Sequence, residues 1–248
     1  MKNQQNNYYI SRKPKLLREF DKTARLMRDT LVSRYGEDFS DTLYREVRQE
    51  YEELIPQIPY IEGARAAPLN TFLRITAQEL AVYKAMKKYN KTTGEVWELC
   101  HEALKLRVKE VPKLKRWLLK RLMFSGFMRK RVEKRAAENQ KLRFGDFEVK
   151  YVKGDGKEFD WGVDYIGCGN YNFVKDHGGE EFAPYVCMSD IALSDVMEWG
   201  LIRTETLADS CKRCDFRFKK GGKTQISSKT PEVQATIEKI RKKERVIL

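Results

Sequence analysis

The sequence predicts an α+β fold: a helical N-terminal bundle followed by a small, mainly antiparallel sheet with helices. Two observations carry that expectation. Apolar residues recur every three or four positions through the first 140 residues, the period of amphipathic helices. Beyond them "FGDFEVKYVKGDG" (144–156) alternates Phe147, Val149 and Tyr151 and closes on Gly-Asp-Gly, a strand-and-turn pattern. The change of character falls near residue 143. It divides the chain into a helical bundle region (1–143), an α+β segment carrying a cysteine cluster (144–225) and a basic C-terminal helix or tail (226–248).

Each element has its own reason. Leu16, Phe20, Ala24, Met27 and Leu31 form one stripe that Gly36 stops. Ser40 or Asp41 is placed to cap the next helix, in which Leu43, Val47, Tyr51 and Leu54 share a face before Pro56. "IPQIPYIEGARAAP" reads as a connector, and a third helix follows from near Pro68 to about Tyr89. Thr92 with Glu95 three residues on is a capping box for a fourth, whose Trp97 and His101 pack inward. The basic stretch from Pro112 supplies one or two more. "FDWGVDYIGC" is a second strand and "GNYNFVKDHGG" a short helix with His177 exposed near its glycine stop. "SDIALSDVMEWG" is a helix with Ser189 as its cap, and "CDFRFKK" is a closing strand.

Composition bounds the function. At 248 residues, 41% apolar and 34% charged, the chain can bury a substantial core, and no apolar run approaches the roughly 18 residues of a membrane span. Five cysteines, an odd number, with a polar N-terminus and no secretory signal, predict reduced thiols in the cytoplasm rather than a disulfide scaffold. The net charge of +13 is local: residues 112–135 hold ten Lys or Arg against the single acid Glu133, which is +9 of it. There Leu114, Trp117, Leu118, Met123 and Phe127 are interleaved with the cations. That pattern fits a membrane-surface helix or a phosphate-backbone patch; it equally fits a helix that buries its apolar stripe and leaves a basic face in water. No helix-turn-helix or RNA-binding signature is present, so no specific nucleic acid partner is expected.

Four cysteines, Cys168, Cys187, Cys211 and Cys214, lie within 47 residues at the ends of expected elements, where a sheet edge could gather them. A zinc ribbon needs two C-x2-C knuckles, and only Cys211 with Cys214 has that spacing. A thioredoxin-type dithiol sits at a strand-to-helix turn, whereas this pair enters a strand. Cys187, in "YVCMSDIALSD", stands just before a helix, where free N–H groups favour a thiolate, and Asp190 is one turn away to shuttle a proton. A buried thiol followed by an acid in the first helical turn accounts for the same letters.

The pieces "GVDYIGC", "APYVCMSD", "GLIRTETLA" and "CDFRFKKGG", in that order, resemble the L-2-amino-thiazoline-4-carboxylic acid hydrolase family, and the helical part is similar through "PYIEGARAAPLN" and "ITAQELAVYKAMKKY". The resemblance implies a hydrolase acting on a carbon–nitrogen bond other than a peptide bond, opening a cyclic amidine in a small carboxylate-bearing heterocycle. Its pattern falls on Cys168, on Cys187 with Asp190, on Arg203 and Thr206, and on Cys214 with Asp215. It implies a catalytic set of Cys187 (nucleophile), Asp190 (acid and base), Cys168 and Cys214, and a substrate-binding set of Arg203 (carboxylate anchor), Thr206 and Asp215. No cofactor is expected; the alternative is a zinc ion held by Cys168, Cys187 and Cys214. After "RTETLA" the family carries an acid and then glycines, where this chain has Asp209, Ser210 and Cys211, so Cys211 reads as a variable position. The competing functional class is a non-catalytic small-molecule or metal-thiolate binding protein, with the basic helix contacting anionic membrane or nucleic acid. A homo-oligomer is compatible with either.

Overall fold

Gly36 decides where the first two helices part: its φ of 82° turns the chain between α1 (Lys13–Tyr35) and α2 (Glu37–Leu54). The computed structural model describes residues 8–63, 66–141 and 145–246. The expected boundary at 143 and the Phe144 that opens the first strand pattern lie outside the described residues. Because α2 already begins at Glu37, Ser40 is not a cap; it is buried inside the first turn with its hydroxyl donating to the Gly36 carbonyl at 2.6 Å. The predicted stripes are buried: Leu16, Phe20 and Met27 on α1, and Leu43, Val47, Tyr51 and Leu54 on α2.

Helix α3 (Ala67–Lys87) runs through the middle of the bundle with Leu73, Ala77 and Leu80 fully buried. Helix α4 (Thr93–Lys109) is capped by Thr92, whose hydroxyl accepts the Glu95 amide at 3.2 Å. The Glu95 carboxylate turns instead to the Tyr35 hydroxyl at 2.6 Å and to Lys91 at 3.3 Å. Helix α5 (Lys113–Met123) and helix α6 (Gly126–Lys141) form a hairpin. The reading in which this stretch buries its apolar stripe fails for α5, none of whose residues is buried.

Among the described residues five strands follow: β1 (Glu148–Lys153), β2 (Trp161–Gly167), β3 (Leu201–Arg203), β4 (Cys214–Phe218) and β5 (Gln225–Ile226), in the order β1-β2-β4-β3-β5. All pairs are antiparallel except β3 with β5, so the sheet is mixed. β3 and β5 are too short for period-two alternation and were not expected. In the register Trp161↔Phe218, Val163↔Phe216 and Tyr165↔Cys214, these six side chains share one face. Gly200, at φ +57°, makes the turn into β3 so tightly that a Cβ there would collide with the Lys219 carbonyl.

Between β2 and β3 come α7 (Gly169–Asp176), α8 (Ala183–Val186), a 3₁₀ turn (Cys187–Ser189) and α9 (Asp190–Met197). His177 is half-buried rather than exposed, its Nδ1 2.7 Å from the Phe173 carbonyl. The C-terminal segment is the packed helix α10 (Pro231–Val246), with Val233, Ile237 and Ile240 buried. One hydrophobic cluster extends from Tyr9 to Ile240, so bundle and sheet share a core. Among the described residues no helix is long and apolar enough to cross a membrane.

Candidate active site

The shared face of the sheet does not pack flush against the helices. A cavity of about 310 Å³ remains between β1–β4 and helices α3, α6, α7, α8 and α9, at the small end of ligand pockets, roughly 300–1,000 Å³. Trp161, Val163, Tyr165, Phe216 and Phe218 line its floor, and Phe72, Thr76 and Glu79 of α3 face them. Cys168, Cys187, Asp190, Arg203 and Cys214 all line this cavity. Thr206, Cys211 and Asp215 are not among its lining residues.

Arg203 organises one wall. It is 1% exposed at the end of β3, and its Nη1 donates to Asp190 Oδ2 at 2.6 Å. Nη2 donates to the Cys187 carbonyl oxygen and approaches Met188 Sδ at 3.6 Å. The guanidinium also lies over the Phe216 ring, 4.9 Å from its centroid. Both terminal nitrogens are therefore engaged by the protein. In this geometry Arg203 orients Asp190 and the Cys187 backbone, and its Nε has no partner.

Cys187 does not stand at a free helix start. α8, the 3₁₀ turn and α9 follow one another without a break, Cys187 has φ −59° and ψ −24°, and its amide is already taken by the Ala183 carbonyl. Burial and the neighbouring thiols push its thiol well up, against the opposing effect of Arg203. Ser189, expected to cap α9, instead donates its hydroxyl to Glu79 Oε1 at 2.7 Å. The true helix-start thiol is Cys168, in the N-cap position of α7. It makes no formed cap bond, and burial raises it, but the amides of Tyr171 and Asn170 pull in the thiolate's favour. Cys214, on β4, accepts the Leu207 amide at 3.2 Å, and burial pushes its thiol up to about 12. Three neutral thiols thus face the cavity at neutral pH. Among the described residues no group of three His, Cys, Asp or Glu is arranged as a metal site.

Asp190 is raised by burial and lowered by Arg203, and its remaining accessible surface opens on the cavity. Glu79 is the residue that sequence reasoning missed. It is 5% exposed on α3, Ser189 occupies Oε1, and Oε2 has no hydrogen-bond partner. Burial raises Glu79 to about 8, with Asp190 adding to the shift and Ser189 opposing it. The available signal was positional: Phe72, Thr76, Glu79 and Tyr83 recur at helical spacing, and an acid on such a stripe is out of place unless it has work to do. Trp161 Nε1 and Asn170 Oδ1, also on lining residues, are buried without partners.

The remaining motif residues hold the loop between β3 and β4. Asp215 accepts the amides of Thr204 (2.9 Å) and Glu205 (2.6 Å) and the Thr204 hydroxyl (2.9 Å). Thr206 is fully buried and accepts the Asp209 amide at 3.0 Å. Asp209 in turn accepts the hydroxyls of Ser228 (2.7 Å) and Thr230 (2.8 Å), tying the loop to the start of α10. Ser210 adopts φ 59° and ψ 22°, a left-handed conformation that glycine enters without steric penalty.

No curated protein and no solved structure matches the chain. The sequence model of one family does, over residues 71–218, from the second turn of α3 to the last residue of β4, and so takes in Glu79 and every cysteine of the cavity. On that match, which spans more than half of its length, the chain belongs to the L-2-amino-thiazoline-4-carboxylic acid hydrolase family.

Proposed function

We propose that the chain is a hydrolase that opens a cyclic amidine of a small heterocycle, with the chemistry centred on Cys187, Asp190 and Glu79. The observation that carries this reading is the pairing of two unlike carboxyl groups on one cavity: Asp190, held by Arg203, and Glu79, largely protonated at neutral pH. A carboxyl ion-paired with a guanidinium suits the base of such a pair, and a buried carboxyl with no counter-charge suits the acid. A neutral Cys187 needs such a base, and Asp190, three residues on in the same helical run, lies on its side of the helix.

The steps follow from those roles. Cys187 sulfur adds to the amidine carbon as its proton passes to Asp190. The ring bond from that carbon to a heteroatom breaks, and the departing atom takes the Glu79 proton. Water then adds to the carbon, returning a proton to Glu79, and the thiol leaves with the proton held by Asp190. The net change is addition of one water and release of a carbamoyl product. Trp161 Nε1 and Asn170 Oδ1 supply one donor and one acceptor for the amidine nitrogens, and the aromatic floor suits a flat ring. Cys168 and Cys214 flank the reacting sulfur.

Ring opening of 2-amino-thiazoline-4-carboxylate and of larger, more apolar cyclic amidines, followed by mass spectrometry, tests the proposal. Cys187→Ser and Asp190→Asn should each lower kcat by a factor of about 100 or more, with circular dichroism unchanged. Wild-type turnover in Cys187→Ser would remove the nucleophile role. Buried neutral thiols around an apolar cavity also suit a binding protein, which would show ligand-induced thermal stabilisation without ring opening.

A further inference from the structure

We infer that the α5–α6 hairpin is a docking surface for an anionic lipid bilayer. Leu114, Trp117, Leu118 and Leu122 recur at the spacing of one helical face, and they are 69%, 50%, 52% and 40% exposed. Phe127, at the start of α6, extends the patch at 64%. The helix attaches to the body by its opposite side: Arg116 Nη1 donates to the Val196 carbonyl at 3.4 Å, and Lys120 pairs with Glu198. A globular surface helix normally turns its apolar stripe inward, and this one turns it out.

The charge around the stripe selects the occupant. Lys113, Lys115 and Arg121 flank it, and among the described residues none has an ion-pair partner; Arg121 lies over the Trp117 ring at 4.7 Å. Residues 112–135 carry ten cations and one acid. A second copy docking stripe to stripe would bring two such cationic segments together. A nucleic acid backbone would meet the cations but give the four leucine and tryptophan side chains no apolar environment. An anionic bilayer satisfies both: the apolar side chains enter the acyl boundary while the flanking cations reach lipid phosphates. The same hairpin gives Met123, Val132 and Ala136 to the cavity wall, so the docking face and the cavity share two helices.

The test uses the full chain with sedimented vesicles of phosphatidylcholine alone and of phosphatidylcholine mixed with phosphatidylglycerol. The expected result is binding to the anionic vesicles, weakened by salt, with a blue shift of tryptophan emission that Trp117→Phe removes. The triple variant L114S/L118S/L122S and the charge variant K113E/K115E/R121E should each reduce binding roughly tenfold or more, with circular dichroism and melting unchanged. All substituted positions lie off the cavity lining. Absence of vesicle binding, equal binding to neutral vesicles, or binding that survives the leucine substitutions would overturn the inference. So would a dimer that the same substitutions dissociate, or salt-sensitive binding to duplex DNA without binding to vesicles.

Discussion

Glu79 is the residue on which the proposed chemistry is easiest to test, because its ionisation is displaced into an accessible range. With Glu79 raised to about 8 from an ordinary carboxyl value of 4.5, folded protein holds this proton across a window in which unfolded chain has released it. The stability contributed by the neutral carboxyl is fully present below about pH 4.5 and is lost as pH rises through about 8. Glu79→Gln keeps a neutral acceptor for Ser189 but cannot titrate. Its unfolding free energy should therefore fall less than that of wild type between those limits, by up to about 5 kcal/mol in urea titrations. Turnover should fall as pH rises through about 8 in wild type, and the variant should be slow at every pH. A wild-type rate profile flat to pH 9 would remove Glu79 as the acid. At this scale the sequence was legible where identity implied chemistry, and opaque where environment did. Cys187, Asp190 and Arg203 could be named from a motif. That Arg203 clamps Asp190 could not, because the contact joins residues 13 apart across the turn from α9 into β3.

Elements were legible in proportion to their length. The stripes of α1 to α4 and the alternation through β1 stand out in the sequence, while β3 and β5 are held by the sheet rather than by their own pattern. The caps fared by geometry: Thr92 performs the cap its spacing implies, but Ser40 and Ser189 face inward and hydrogen-bond elsewhere. One bridge between elements was invisible beforehand. Asn139 of α6 is 1% exposed; its Nδ2 donates to the Phe147 carbonyl at 2.8 Å and its Oδ1 accepts the Val149 amide at 2.7 Å. Asn139→Ala leaves a buried carbonyl and an amide without partners and should destabilise by about 2–4 kcal/mol in urea unfolding. Because the bridge also fixes α6 at the cavity wall, KM should rise before kcat changes. A loss under about 0.5 kcal/mol would mean that water replaces the side chain.

At the scale of the whole molecule, the shared core makes the C-terminal helix part of the fold rather than an appendage. Val233, Ile237 and Ile240 are buried, and Lys243 pairs with Glu98 of α4 at 2.7 Å. Ending the chain at Lys229 removes three buried aliphatic side chains, each worth about 1.5–3 kcal/mol, from a total stability of order 5–15 kcal/mol. Such a chain should lose its cooperative thermal transition, and Ile237→Ala alone should destabilise by about 2–4 kcal/mol. A truncated chain that melts at the wild-type midpoint would place α10 outside the cooperative unit. The sequence suggested a basic helix or tail here because "KIRKKER" dominates the eye, although Val233, Ile237 and Ile240 carry the helical period beneath it. The Asn139 bridge has a further consequence at this scale. The outer border of a sheet can template the backbone of another chain, and here Asn139 occupies the Val149 amide at the start of β1, while the opposite border, β5, is two residues long. Two copies that met border to border would find the start of β1 already occupied and only two residues of β5 to pair with, so neither border offers a full-length strand template.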